Sequence, residues 1–190
     1  MCGRYEAGLT ELDIAAYRQA IQEIESMVTQ PLHPRETFPS QELPIITQKG
    51  FTTSHWGYPL AKKLVINARS ETITTRPLFS QAIMTDRCLI PAKAYYEWKQ
   101  STVKYRIETT EPMSMAGLRL NSPQGERFVI ITADANAQIE PIHHRMPVLL
   151  RPDQLSAFLF DTEAALAMLR PYEGQLQLSA LTPEQLSLFD

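Results

Sequence analysis

The residue with the most distinctive chemistry stands at the start of the chain, which opens with MCGR. If Met1 is removed, Cys2 carries a free α-amine and a thiol on the same residue. Their ordinary pKa values, about 8 for the amine and roughly 8.5 for the thiol, leave both partly available as nucleophiles near neutral pH. Such a pair condenses with an aldehyde to an imine, which the thiol closes into a thiazolidine. The alternative is that Cys2 is an ordinary small residue near a frayed chain end.

Polar side chains follow an apolar run in the segment VINARSET, residues 65–72. Asn67, Arg69 and Glu71 alternate, so an extended strand would place all three on one face. That face would offer an amide, a cation and a carboxylate to a ligand. A solvated strand end without a ligand fits the same pattern.

A carboxylate lies among aromatic residues in AYYEWK, residues 94–99. Tyr96 and Trp98 flank Glu97 and would withdraw it partly from water. Partial burial raises the pKa of a carboxyl group and suits it to proton transfer. An exposed acid on a sheet is the alternative interpretation.

The segment PIHHRMPVLL, residues 141–150, places His143, His144 and Arg145 in a turn before a strand. Neighbouring side chains are expected to point in different directions, so at most one histidine should reach a given site. A structural histidine is the alternative for either. The two cysteines and four histidines show no metal-ligand spacing. We therefore expect no metal and no cofactor.

The composition is that of a single globular domain, with 190 residues of which 44% are hydrophobic and 21% charged. Two cysteines give no disulfide framework, which fits a reducing cytoplasm. CGRYEAGL after Met1 does not have the form of a signal peptide, and no apolar stretch approaches the ~20 residues of a transmembrane helix. The net charge of −3 argues against non-specific coating of nucleic acid, so any contact with DNA should rely on a few arginines.

Hydrophobic periodicity predicts one amphipathic helix followed by a β-rich region. The helix should span residues 14–28, with Thr10 and Asp13 as its start signal. Seven short runs then have strand length and composition: LPIIT, LVINA, CLIPA, VKYRI, SMAGL, RFVIITA and PVLL. Two short helices with Asp153 and Asp161 as N-caps and a final strand, QLQLSAL, complete the pattern. The linkers are too short for βαβ crossovers, so we predict an α+β single domain with an antiparallel, barrel-like or bent sheet and peripheral helices.

Four motifs in order resemble the SRAP family, the SOS-response-associated peptidases that process abasic sites in DNA. They are MCGRY at the start, INARSET, CLIPAKAYYEW and IHHRMPVLL. The resemblance covers roughly residues 1–150 and implies the SRAP fold. It also favours Cys2 as a nucleophile over Cys2 as an ordinary small residue.

The resemblance implies roles for nine residues. Cys2 is similar to the covalent nucleophile, Asn67 to the asparagine that positions it and the opened sugar, and Glu97 and His143 to the catalytic glutamate and histidine. The expected DNA-binding residues are Arg4, Arg69 and Arg145 on phosphates, Thr132 as a polar partner, and Trp56 as a stacking ring. Burial of Trp56 in the core is the alternative, and Tyr58 is a second candidate for stacking.

Two departures from the family pattern affect DNA recognition. Glu36 stands where many members have asparagine, and a carboxylate there would repel the DNA backbone. The loop after Trp56 is short and carries Lys62 and Lys63 in place of further aromatics. Preference for a junction between single- and double-stranded DNA is therefore in question.

The leading functional hypothesis is a monomer that forms a thiazolidine crosslink with abasic sites in single-stranded DNA, using lyase-like Schiff-base chemistry in the cytoplasm at damaged nucleoid DNA. A cysteine peptidase, with Cys2 as N-terminal nucleophile and loss of Met1 as self-processing, is a second hypothesis. A non-covalent reader of modified DNA is a third. Residues 1–180 should form the SRAP domain.

A separate motif lies in the predicted C-terminal tail, residues 181–190. QLSLF, residues 185–189, resembles the pentapeptide by which bacterial proteins dock on the DNA polymerase sliding clamp. Gln185 would donate and accept hydrogen bonds, while Leu186, Leu188 and Phe189 would fill apolar subsites. Folding of these apolar residues onto the core is the alternative.

Overall fold

The computed structural model describes residues 2–7, 36–110 and 113–181. The helix predicted over residues 14–28 and the QLSLF segment at residues 185–189 lie outside these described residues. None of the helices within the described ranges combines the length and the apolar character of a membrane span.

Strands dominate the described part of the chain, as the short apolar runs predicted. Each of the seven predicted runs lies in strand, although LVINA and PVLL are both divided between two short strands. The strands are β1 (Tyr5–Ala7), β2 (Glu36–Thr37), β3 (Glu42–Thr47), β4 (Gly50–Trp56), β5 (Tyr58–Leu60), β6 (Lys63–Val65), β7 (Asn67–Arg69), β8 (Arg87–Lys99), β9 (Val103–Thr109), β10 (Met113–Ser122), β11 (Gly125–Asp134), β12 (Arg145–Pro147), β13 (Leu149–Leu150) and β14 (Leu176–Ala180).

Five strands close into a barrel in the order β3, β4, β11, β10 and β8, because β8 pairs with both β10 and β3. The β4–β11 pair is parallel, and the other neighbours in the ring are antiparallel. Closure leaves no free sheet edge within the ring. The predicted single α+β domain with a barrel-like sheet is confirmed.

The long strand β8 connects the barrel to a lateral extension of the sheet. Its N-terminal half pairs with β10, while its C-terminal half pairs with β1 on one side and β9 on the other. β14 then pairs with β9 at the edge. Because β1 begins three residues after Cys2 and the second half of β8 carries Glu97, this extension brings the chain start to the candidate catalytic carboxylate.

Two clusters of buried apolar side chains form the core. One gathers around Leu89, Leu118 and Val129, and the other contains Tyr5 and Trp56. Each fully buried Leu or Val contributes about 1.5–3 kcal/mol of transfer free energy. The packing is tight at Gly117, where a Cβ would lie 2.4 Å from Cδ1 of Ile90, so Gly117→Ala would force the Ile90 side chain to move.

Three short helices pack on the barrel: α1 (Ala82–Thr85), α2 (Leu155–Phe160) and α3 (Thr162–Ala167), with 3-10 turns at Ser70–Thr72 and Pro152–Gln154. The predicted N-cap Asp161 is confirmed, because its Oδ1 accepts from the Ala164 N–H at 3.1 Å. Asp153 as an N-cap is wrong: it lies within a 3-10 turn, and α2 begins after Gln154. Arg87 is buried and donates to carbonyl oxygens of both α1 and α2, which ties these helices to β8.

Candidate active site

Backbone pairing holds the start of the chain against β8, with a register shift between Glu6 and Ala7. Tyr5 pairs with Tyr95, and the Tyr96 N–H donates to the Arg4 carbonyl oxygen at 3.0 Å. The pairing continues toward Glu97 as the chain runs back to Cys2. A free chain end usually frays, but this pairing aligns the chain start with β8, the strand that carries Glu97.

Cys2 is completely buried and is held by a side chain from β7. The Asn67 side-chain amide donates to the Cys2 carbonyl oxygen at 3.0 Å, and the Cys2 thiol lies 3.7 Å from the Arg4 carbonyl oxygen. Burial raises the pKa of the Cys2 thiol well above its ordinary value, and the charge of Glu97 raises it further. The thiol is therefore protonated at neutral pH and needs a base before it can react as a thiolate.

Glu97 lies on β8 with only 2% of its surface exposed. Desolvation by burial raises its pKa from 4.5 to about 7. The predicted rise in the pKa of Glu97 is confirmed, although Tyr96 and Trp98, its neighbours in the strand, face the other side of β8. A carboxyl that is half protonated near neutral pH can both donate and accept a proton, which is the property that general acid–base catalysis requires.

His143 lies in the turn before β12 and is partly buried. Its Nδ1 accepts from the Arg145 backbone N–H at 3.0 Å, so in the neutral ring the proton resides on Nε2. Burial lowers the pKa of His143, which keeps the ring neutral at pH 7. The exposed His144 stacks on it with ring centroids 4.3 Å apart, so the prediction that the two side chains point in different directions is wrong. The tight turn brings the rings together.

Arg145, two residues after His143, is nearly buried and pairs with two exposed carboxylates. Its guanidinium donates to Glu71 at 2.7 and 3.1 Å and to Asp134 at 2.6 Å. It also donates to the carbonyl and hydroxyl oxygens of Thr132. The fully buried Thr132 lies on β11, opposite Arg69 of β7 on one side and Pro147 of β12 on the other. Glu71 belongs to a 3-10 turn rather than to the strand face expected for Asn67, Arg69 and Glu71.

Arg69 and Arg4, the other two arginines expected to contact phosphates, are more accessible than Arg145. Arg69 is exposed and lines a groove of about 410 Å³ together with Asn67 and Arg76, and the described side chains around this groove include no acid. Arg4 has a side chain that is 39% exposed. Its guanidinium lies 4.6 Å from the ring centroid of Phe38 and 5.2 Å from that of Trp98.

Comparison with known proteins identifies the family of this chain. The family model for SOS response associated peptidase (SRAP) matches residues 1–184. The chain belongs to the SRAP family. Its solved neighbours have the same fold: a protein from Bacteroides thetaiotaomicron is 24% identical with a TM-score of 0.77, and the alignment covers 98% of this chain and 94% of that one.

Several SRAP relatives are named abasic site processing proteins. YobE of Bacillus subtilis is 31% identical over 72% of this chain and 74% of its own length. YedK of Escherichia coli is 26% identical over 80% and 77%. YoqW of Bacillus subtilis is 34% identical over 58% of this chain, and the match spans only 56% of the length of YoqW. The chain thus spans about half the length of some relatives and about three quarters of others.

Trp56, expected on the SRAP resemblance to stack on a base, is instead a core residue. It is completely buried, its indole N–H donates to the Ile66 carbonyl oxygen at 3.1 Å, and it packs edge-on against Tyr5 and parallel to Phe128. A base cannot stack on a ring without exposed surface. We therefore remove Trp56 from the set of DNA-contacting residues.

The sequence patterns did not reveal the charged residues that hold Arg4 and Arg145. No pattern singled out Asp134, and none connected Lys104 with Glu36. A weak signal existed in VKYRIET, where three charged residues alternate on β9 and so share one face: Lys104, Arg106 and Glu108. Their partners come from β1 and β2, which no local pattern could identify.

Proposed function

We propose that this SRAP protein forms a covalent crosslink with abasic sites in single-stranded DNA through Cys2 after Met1 has been removed. The observation that carries the proposal is the position of Cys2. Its carbonyl oxygen accepts a hydrogen bond from the Asn67 side chain, and its thiol is close enough to Glu97 to feel the charge of that carboxyl group, whose pKa is about 7. The names of the relatives support abasic-site DNA as the substrate.

The chemistry follows from the aminothiol of Cys2. An abasic deoxyribose is in equilibrium with an open-chain aldehyde. The Cys2 amine attacks the aldehyde carbon, and water leaves as the imine forms. The Cys2 sulfur then adds to the imine carbon while the thiol proton passes to the imine nitrogen. The product is a thiazolidine and one water, and it forms before β-elimination can break the DNA strand.

Glu97 and His143 supply the proton transfers in this proposal. Protonated Glu97 donates to the sugar ring oxygen as the ring opens, and its carboxylate then accepts a proton from the buried thiol, whose raised pKa makes a nearby base necessary. Neutral His143 presents Nε2–H to the reacting centre, because Nδ1 is engaged by Arg145. His143 assists imine formation and its reversal.

DNA is held by few cations in this proposal, as the net charge of −3 requires. Arg4 and Arg69 are the exposed candidates for the phosphates that flank the lesion. Arg145 already donates to two carboxylates, so we assign it chiefly to orienting His143 through its backbone N–H. Thr132 in turn holds Arg145.

The test is incubation with a single-stranded oligonucleotide that carries one abasic site, followed by a denaturing gel. The native chain should give a heat-stable band of reduced mobility, and Cys2→Ala should give none. A tag left before Cys2 should also block the reaction, because no free α-amine remains. Cys88→Ala is the matched control, since Cys88 is equally buried but lies within the barrel; it should crosslink normally.

The two other hypotheses predict different results in the same experiment. A cysteine peptidase would give no shifted band, and intact-mass measurement would find Met1 retained in Cys2→Ala. A non-covalent reader would bind the oligonucleotide reversibly with or without Cys2. Undiminished heat-stable crosslinking by Cys2→Ala would falsify the covalent mechanism.

We also propose that QLSLF, residues 185–189, recruits the protein to the bacterial sliding clamp in the cytoplasm. The described chain leaves the sheet after β14, where the Leu181 N–H donates to the Lys104 carbonyl oxygen at 2.8 Å. The support for a clamp partner is the sequence of the segment itself. Docking there would bring a single-strand damage sensor to replicating DNA.

A further inference from the structure

We infer that Glu36 is a positioning residue for Cys2 and acts through Arg4. The inference rests on the proposed crosslinking function and concerns the residue that departs from the family pattern. The sequence suggested that a carboxylate at this position would repel DNA. The structure places that carboxylate inward, with only 5% of its side chain exposed, between two cations.

The surroundings of Glu36 show that its charge is compensated. Its two carboxylate oxygens accept from Lys104 Nζ at 2.5 Å and from Arg4 at 3.1 Å. Lys104 is itself nearly buried and lies over the ring of Tyr96 at 4.4 Å. Removal of the shared carboxylate would leave the nearly buried ammonium of Lys104 without its anion, which is costly, so the three charges are expected to stay together.

Arg4 is the connection between this anchor and the reacting residue. Its backbone carbonyl oxygen accepts from the Tyr96 N–H and lies 3.7 Å from the Cys2 thiol. Its side chain is held by Glu36. Arg4 is therefore held at both ends, two residues from the nucleophile. Without Glu36, the Arg4 side chain keeps only its contacts with the rings of Phe38 and Trp98. The terminal segment then gains freedom, which lowers the effective concentration of the Cys2 amine and thiol at the aldehyde.

Neutralisation of Glu36 should affect DNA affinity and the rate of crosslinking differently. The set formed by Arg4, Lys104 and Glu36 has a net charge of +1, and neutralisation of Glu36 raises it to +2. Attraction of the DNA backbone is then unchanged or stronger. The rate of crosslinking at saturating DNA falls because Cys2 is less well placed. A residue with only a structural role would not separate these two quantities.

The experiment compares Glu36→Gln, Glu36→Asp and a matched control, Glu6→Gln, on an abasic-site oligonucleotide. Glu6 pairs with Glu36 across β1 and β2 and has its own ion pair with Arg106 at 3.0 Å, but it does not hold Arg4. Equilibrium affinity is measured on an oligonucleotide with a non-reactive abasic analogue. The single-turnover crosslinking rate is measured at saturating DNA, and thermal unfolding checks that each variant is folded.

We expect Glu36→Gln to slow saturated crosslinking by about 10-fold or more and to leave affinity unchanged or raise it by up to about fivefold. Glu36→Asp should restore part of the rate, and Glu6→Gln should match the native rate. If Glu36→Gln does not fold, the double variant Glu36→Gln/Lys104→Gln removes the buried charge pair together and should show the same slow rate. A normal saturated rate in folded Glu36→Gln or in the folded double variant, or an equal loss in Glu6→Gln, would overturn the inference. Absence of crosslinking by the native chain would instead refute the proposed function.

Discussion

The side-chain amide of Asn67 donates to the carbonyl oxygen of Cys2 across 3.0 Å, although the two residues are 65 positions apart in the chain. This hydrogen bond joins β7, which pairs with the barrel strand β11, to the start of the chain beside β8. It fixes the backbone of the residue that carries both proposed nucleophiles. The position of Cys2 therefore depends in part on a contact between the barrel side of the sheet and its lateral extension.

Replacement of Asn67 by Asp should test this contact, because a carboxylate has nearly the same shape but cannot donate to the carbonyl oxygen. We expect crosslinking to slow by about 10- to 100-fold, as misplacement of a reacting group commonly does. Single-turnover gel assays measure the rate. Asn136→Asp, in the loop after β11, is the control and should retain the native rate; an unaffected Asn67→Asp would exclude the positioning role.

Glu97→Gln removes a titratable proton while preserving size. Crosslinking should slow by about 10²–10⁴-fold if Glu97 is the general acid–base group. In the native chain, its pKa of about 7 means that the protonated form is lost above neutral pH, so a rate limited by the acid step should decline there. A pH–rate profile measures this decline, and the same decline in Glu97→Gln would assign it to another group.

The same carboxyl group makes stability dependent on pH. The pKa of Glu97 is about 7 in the folded chain against 4.5 for the ordinary group, so the unfolded chain releases the proton first as the pH rises. The free energy of unfolding should fall between pH 4.5 and 7 by on the order of 3 kcal/mol and then level off. Urea unfolding at several pH values measures this fall, and Glu97→Gln should lack it.

The two histidines should differ in their importance. His143→Ala should slow crosslink formation or reversal more than it weakens DNA binding, because Nε2–H of His143 is the proposed hydrogen-bond donor. His144 is more exposed and stacks on the first ring, so His144→Ala should have the smaller effect. The rate of crosslink formation and the rate of release from a purified crosslink are measured for each variant. A larger effect of His144→Ala would assign the catalytic role to His144 instead.

The salt dependence of DNA binding should report how many arginines contact phosphates. Two contacts, by Arg4 and Arg69, give a log–log slope of roughly −1.4 on single-stranded DNA, whereas a third contact by Arg145 gives roughly −2. Fluorescence anisotropy at several salt concentrations measures the slope. Arg69→Ala should make it shallower by about 0.7, and Arg151→Ala, whose side chain pairs with Asp153 at the surface, should leave it unchanged. A slope several times steeper would indicate a further basic surface.

Binding to the sliding clamp should depend on the final apolar residues. Calorimetric titration with purified bacterial clamp should give micromolar affinity, about −8 kcal/mol at 1 μM. The double variant Leu188→Ala/Phe189→Ala should lose binding while its DNA crosslinking stays intact. No detectable binding by the native chain, or equal binding by the double variant, would refute the clamp proposal.

The sequence by itself determined the features that depend on near neighbours along the chain. Short apolar runs with brief linkers predicted a bent antiparallel sheet, since the period of two and the loop lengths are local properties. The sequence predicted a partly desolvated Glu97, and its burial does raise the pKa of the carboxyl group to about 7. The position of Cys2 after Met1 indicated the chemistry it could perform.

Only the tertiary structure decided which faces are covered and which distant groups meet. Alternation assigns Trp56 to a face of β4, but barrel closure buries that face against Tyr5 and Phe128. Likewise, the sequence alone predicts that Glu36 repels DNA, whereas in the fold β9 brings Lys104 and the chain start brings Arg4 beside it, and the two cations compensate its charge. Strand order sets such contacts, and the period of a single strand carries no information about which strand becomes its neighbour.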